Sequence, residues 1–241
     1  MALSEKAHRR LLWAGVVAVI LIVRVGCVLY ERSRPFPQKQ VVKRPIDRDQ
    51  LVVVPKFYVD DFASAKQLVG KTIWVKLGYV TGYFADNSRV KTDRRDLRYF
   101  EPLESLSIEK VIERPNAGEA GNKEVLLRFQ REGLSWLTLA GVYNAAAKRY
   151  EMRLDELFYL KSPRELYPHW DESAWSKIEK HSLEPGMTQA QALLSMGFGR
   201  LVTIEAGGAQ LYEFNRKSAG EPGKTRVRFV DGRVKEIQVL K

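Results

Sequence analysis

The sequence predicts an α+β fold: an N-terminal membrane helix, a β-rich barrel-like lobe, and a C-terminal lobe of two helices laid on an antiparallel sheet. Three observations predict it. A basic leader runs into an apolar stretch at 11–30. Short β-type runs separated by turn residues fill 57–168. Two capped helical segments then precede a series of β-type runs bounded by glycine turns, an order that gives helices on one sheet face. The expected division is 1–30 leader and anchor, 31–56 linker, 57–168 β-rich lobe and 169–241 α+β lobe.

Lys6, Arg9 and Arg10 lead into the apolar residues 11–23, Arg24 interrupts, and 25–30 continues the run. The total, about 20 residues, is what crossing the hydrocarbon layer requires. As an uncleaved anchor, the helix would let Arg24 snorkel toward the interface near Tyr30. A secretory signal has the same layout, and cleavage before Cys27 would leave a lipid-bearing cysteine, although Arg24 stands where an aliphatic residue belongs. Cys27 is the single cysteine, so no disulfide can form within the chain.

The net charge of +11 is unevenly placed. Residues 1–56 hold 11 Lys/Arg against 4 Asp/Glu, leaving an excess of only +4 for 57–241. Basic character beside an apolar segment points to an anionic membrane surface, and no nucleic-acid partner is expected. The linker carries Pro35, Pro37, Pro45 and Pro55 among mixed charges and reads as an extended tether. The apolar Leu51-Val52-Val53-Val54 within it reads as an edge strand or as the first contact with the folded part.

In the β-rich lobe, 61–70 reads as a short helix with an Asp cap and a Gly stop. Strands are expected at 72–77, 106–113, 125–131 and 134–142, with Glu132-Gly133 turning between the last two, and a further strand at 149–160. Ser162-Pro163-Arg164-Glu165 has the form of a capping box with Pro at the first helical position. Strands at this spacing suggest a small barrel or curled sheet.

In the C-terminal lobe, Asp171 caps a helix over 172–180, with Ala174, Trp175 and Ile178 on one side. Thr188-Gln189-Ala190-Gln191 forms a second capping box, Ala190, Leu193 and Leu194 recur at helical spacing, and Gly197 ends the helix. Gly207-Gly208 and Asp231-Gly232 suit two-residue hairpins. Across the latter, Val227, Phe229 and Val234 share a face while Ile237 and Val239 have the wrong parity, so a β-bulge near Lys235-Glu236 is expected.

Pro185-Gly186-Met187-Thr188, the short helix ending at Met196-Gly197, the Tyr-containing strand at 211–214 and the final FVDGRVKEI hairpin resemble the BamE (SmpA/OmlA) family. The resemblance covers 171–240 and departs at Met196-Gly197-Phe198-Gly199, which lacks the family's proline. It implies two helices on an antiparallel sheet in an envelope protein that assists outer-membrane assembly. With the short N-terminal tail it favours export over the positive charges that follow the apolar segment. The expected location is therefore the inner membrane, single pass, with the bulk of the chain in the periplasm or otherwise outside the cytoplasm.

Candidate chemistry is sparse. His169 and His181 lie twelve apart without cysteines, and neither they nor His8 suggest a metal site. No P-loop, Rossmann, G-x-S-x-G or H-E-x-x-H pattern occurs. Asp155-Glu156, taken as part of a strand, would point to opposite faces. No enzyme activity and no cofactor are expected. Candidate interaction residues are Tyr83, Phe84, Arg89, Lys91, Arg94, Arg95 and Arg98, where aromatic and basic residues interleave, together with Trp170 and Trp175. For each group the competing reading is structural: a long solvated hairpin or loop with the aromatics packed underneath, and tryptophans sealing a junction between lobes. The functional expectation is a membrane-anchored envelope protein acting through protein–protein interaction, in outer-membrane or cell-wall assembly. The competing expectation is an inhibitor or sensor that binds an envelope enzyme or cell-wall ligand.

Overall fold

The structure is a computed structural model that describes residues 5–33, 47–86, 97–116, 118–205, 207–217 and 222–240. It divides into two units, Met1–Ile46 and Asp47–Lys241. The first contains helix α1 (Glu5–Ser33), whose side chains are described at Trp13 and 19–32. Among the described residues, no helix is long and apolar enough to cross a membrane. Val19, Ile20, Leu21, Ile22 and Val23 are nevertheless all more than half exposed. At 100° per residue, five consecutive positions encircle a helix, so this part of α1 is apolar on every side.

The second unit begins at Asp47, within the stretch expected to be linker. Asp47 caps a 3-10 turn at Arg48–Leu51 by accepting from the Asp49 N–H, and 52–59 then continues as an extended strap. Strap side chains alternate. Val52 and Val54 pack on one hydrophobic cluster, and Phe57 and Val59 on another. Leu51–Val54 is therefore a first contact with the fold and not an edge strand.

Helix α2 (Phe62–Ala65) opens on a capping box formed by Asp61 and Ser64. Strands β1 (Thr72–Val75), β2 (Gly82–Ala85), β3 (Arg98–Tyr99), β4 (Ser105–Pro115), β5 (Lys123–Arg131), β6 (Leu134–Asn144) and β7 (Arg149–Met152) follow. After helix α3 (Leu154–Leu157) comes β8 (Phe158–Tyr159). These strands make one antiparallel sheet, curled into a half-barrel, in the order β3-β2-β6-β5-β4-β1-β8, with β7 also on β6. The curl has local causes. Glu109 has no partner where β4 passes between Phe129 and Arg128 of β5, and Ala140 has none where β6 passes between Leu126 and Val125. Each is a bulge, which bends its strand and increases the twist. Glu132 and Gly133, both at positive φ, turn β5 into β6 as expected.

The hairpin reading of 79–100 holds at its ends, where β2 pairs with β3 and also with β6. Two expectations for this region need correction. The strand expected at 149–160 is broken by α3, whose first turn carries Asp155 and Glu156, so these carboxylates lie on a helix. Ser162 makes no side-chain cap on α4 (Pro163–Leu166); its backbone carbonyl accepts from Glu165 N–H and closes the single turn.

The C-terminal layer follows expectation closely. Helices α5 (Glu172–Glu179) and α6 (Gln189–Met196) precede β9 (Gly199–Ile204), β10 (Gln210–Lys217), β11 (Pro222–Val230) and β12 (Arg233–Leu240), ordered β12-β11-β10-β9. Asp171 caps α5, and Thr188 with Gln191 forms the capping box of α6. The bulge falls at Lys235: Phe229 pairs with Val234 and Arg228 with Glu236. It returns Ile237 to the core side, where it packs with buried Val227, Phe229 and Val234 beneath Trp175, Ile178 and Leu194 of the helices.

Candidate functional site

The sequence-selected aromatics of the first region are core residues. Tyr83 stacks on Phe100 at 4.5 Å between ring centroids and meets Trp136 edge-on at 5.2 Å. Its hydroxyl accepts from Arg131, which also pairs with Glu104 at 3.0 Å. Phe84 points to the other side of the sheet, among Leu126 and Leu137. Both rings are buried, as the structural reading had it, because strand alternation drives one into each face of the sheet. Arg98 is exposed, its guanidinium 4.9 Å from the Trp136 ring centre. Arg89, Lys91, Arg94 and Arg95 lie outside the described residues.

Trp175 is buried in the C-terminal cluster and Trp170 packs partly buried against it. Trp175 is buried under the guanidinium of Arg164, which bonds Glu172 through two nitrogens and reaches Glu179 as well. Those hydrogen bonds hold the Glu172 carboxyl below its usual range and tie α4 to α5. Trp170 stacks on Tyr167 at 4.1 Å and lies 5.2 Å from Trp175, forming a continuous aromatic run.

A polar arrangement centred on Asp49 closes this run. Asp49 sits in the 3-10 turn that opens the strap, with its side chain only 8% exposed. One carboxylate oxygen lies 2.7 Å from His169 Nε2 and 2.7 Å from Trp170 Nε1. The other accepts from the Thr188 hydroxyl. A carboxylate accepts only, so His169 must carry its proton on Nε2. Thr188 is used twice, since its hydroxyl oxygen also accepts from Gln191 N–H in the helix cap. Burial, followed by the charge of Asp49, pushes the Tyr167 hydroxyl pKa above its ordinary value.

This arrangement is a clasp. Both oxygens of Asp49 are taken up by donors 120, 121 and 139 residues away, and three donors converging on a buried carboxylate compensate its desolvation. A few residues on, Asp155 Oδ1 accepts from Phe57 N–H at 2.9 Å. The strap is thus fastened to the C-terminal layer at one end and to α3 at the other.

The Pro-Gly-Met-Thr stretch acquires a physical role here. Gly186 N–H donates to Val234 O and Val234 N–H to Met187 O, both at 2.8 Å, and Gln189 N–H reaches Gly232 O at 3.0 Å. The stretch therefore adds backbone pairing along the outer side of the β11–β12 turn before Thr188 starts α6. His181, by contrast, is a structural ring: Nδ1 lies 2.9 Å from Ser195 O, and Tyr79 meets it edge-on. Among the described residues, no group of three or more His, Cys, Asp or Glu could hold a metal ion.

Sequence reasoning found Thr188 as a helix cap and weighed His169 as a structural residue, but missed Asp49 altogether. The one available signal was Asp47, a capping residue two positions before Asp49, directly ahead of the apolar 51–54 run. Compared with known proteins, the chain matches no family, no curated protein and no solved structure.

Proposed function

We propose that this is a membrane-tethered envelope protein without enzymatic activity. In this reading α1 is a single-pass anchor in the inner membrane, and the 47–241 unit stands on the periplasmic side, docking protein partners in outer-membrane or cell-wall assembly. The observation that carries it is the belt of exposed Val19, Ile20, Leu21, Ile22 and Val23, continuous in sequence with the apolar residues 11–18. A helix apolar on every side is stable in hydrocarbon and costly in water. The BamE-like stretch at 171–240 adds support for the docking role, through the residues that carry the resemblance. So does the use of Asp49, His169 and Thr188 to seal the fold, since this polar cluster is engaged internally.

The test is a topology reporter fused after Lys241, read together with membrane fractionation. An alkaline phosphatase fusion that is active and stays in the membrane pellet through alkaline extraction supports the reading. An inactive phosphatase with a fluorescent cytoplasmic reporter at the same position overturns the compartment. Release by alkali overturns the anchor.

A further inference from the structure

The two edges of the C-terminal sheet are treated very differently. The β12 edge is covered at its turn end by 186–189, carries the Lys235 bulge, and bears Arg233 and Glu236, all devices that discourage pairing with another chain. The β9 edge has no strand on its outer side among the described residues. Its side chains are exposed and largely apolar: Leu201 42%, Val202 41% and Ile204 60%.

The pairing of β9 with β10 is interrupted at Val202. Thr203 faces Leu211 and Leu201 faces Tyr212, so Val202 has no partner and is a bulge. The bulge changes which residues share a face. In an unbroken strand, positions 200 and 205 would lie on opposite sides. Here Arg200 faces Glu213, which also pairs with Arg226 of β11, and Glu205 bonds Arg228 of the same strand at 2.8 Å. Arg226 and Arg228 share one face, so Arg200 and Glu205 do too. Leu201 and Ile204, opposite Tyr212 and Gln210, share the other face.

The run Arg200-Leu201-Val202-Thr203-Ile204-Glu205 is thereby complementary to itself when reversed. We propose that β9 is a homodimer edge, pairing antiparallel with β9 of a second copy about a two-fold axis between Val202 and Thr203. The register sets Arg200 opposite Glu205 of the other copy, Leu201 opposite its Ile204, and Val202 opposite its Thr203. Charged pairs fall on one face, aliphatic pairs on the other, and the symmetry repeats each pair. A bulge commonly turns an edge away from partners; at this position it supplies the parity that the symmetric register requires. The two four-stranded sheets then become one continuous sheet.

The test uses the full chain in nonionic detergent, with the dimer dissociation constant measured by sedimentation and folding checked by circular dichroism. Arg200→Glu and Glu205→Arg, each alone, place like charges together at two points and weaken dimerisation on the order of tenfold. The double variant restores opposite charges across the interface and recovers most of the lost affinity; the remainder reflects like charges within each chain, position 200 beside Glu213 and position 205 beside Arg228. A second measurement fixes the register. In a Cys27→Ser background, Leu201→Cys mixed with Ile204→Cys forms an oxidised cross-link that neither forms alone. A chain that is monomeric throughout, a dimer indifferent to the single reversals, or failure of the double variant to recover overturns the proposal. So does cross-linking of Leu201→Cys with itself.

Discussion

The two main hydrophobic clusters of the folded unit are closed by different means. The cluster inside the curled sheet holds Tyr83, Phe100, Phe129 and Trp136, and its polar fringe comes from the same sheet region, with Arg131 and Glu104 over the Tyr83 hydroxyl. The C-terminal cluster holds Tyr167, Trp175, Phe214 and Phe229, yet its polar seal is Asp49, which reaches it from the strap far earlier in the chain. Strap residues pack on both cores, Phe57 and Val59 on the first and Val52 and Val54 on the second, and the second also takes its polar seal from that distant segment. The contrast teaches that a short α+β layer, with a few helical turns over a four-stranded sheet, exposes a flank that its own sequence does not cover.

The largest effect expected from breaking this contrast is at Phe129. Truncation to alanine leaves a ring-sized cavity among Tyr83 and Phe100, and it should lower the stability of the unit by about 3–5 kcal/mol in urea unfolding. Next is Asp49→Ala, which leaves the Trp170 and Thr188 donors buried without their acceptor. A loss of about 2–3 kcal/mol is expected, read by the same unfolding with Trp fluorescence as the probe.

Glu104 sharpens the comparison through pH. Burial raises its carboxyl pKa, outweighing the Glu101 N–H and Arg131, which act to lower it. A carboxyl whose folded value is raised binds its proton more tightly in the folded state. Its contribution is fully present below the unfolded value and is lost as pH rises through the folded one. Stability of the curled sheet should therefore fall as pH climbs past the upper end of the ordinary carboxylate range. Glu104→Gln should flatten that part of the profile in denaturation series at several pH values.

The smallest effect is at Glu132, which holds φ at 55° in the β5–β6 turn. Glu132→Gly removes the steric cost of that backbone and should raise the melting midpoint, by about 0.5–1 kcal/mol of stability.

Legibility in the sequence followed distance along the chain. The Thr188 capping box, the Asp171 cap, the Asp231-Gly232 turn and the Lys235 bulge all follow from residues within a few positions of one another, and each was readable. Strands β2 and β3 were not, because they are short and bracket a charged stretch that masks the alternation of Tyr83 and Phe84. Helix α3 was missed because its four residues follow a β-type run without a side-chain cap. The clasp was invisible for a different reason. Asp49 meets His169, Trp170 and Thr188 only after both layers have formed, and an aspartate in a proline-containing linker carries no local mark of burial.

The dependence of the C-terminal layer on the strap is tested most directly by amide hydrogen exchange on Asp49→Ala beside the parent chain. Local release predicts faster exchange in α5, α6 and the 186–189 stretch, while the β4, β5 and β6 amides keep their protection. Equal loss of protection across both sheets, or none in either, would contradict the account.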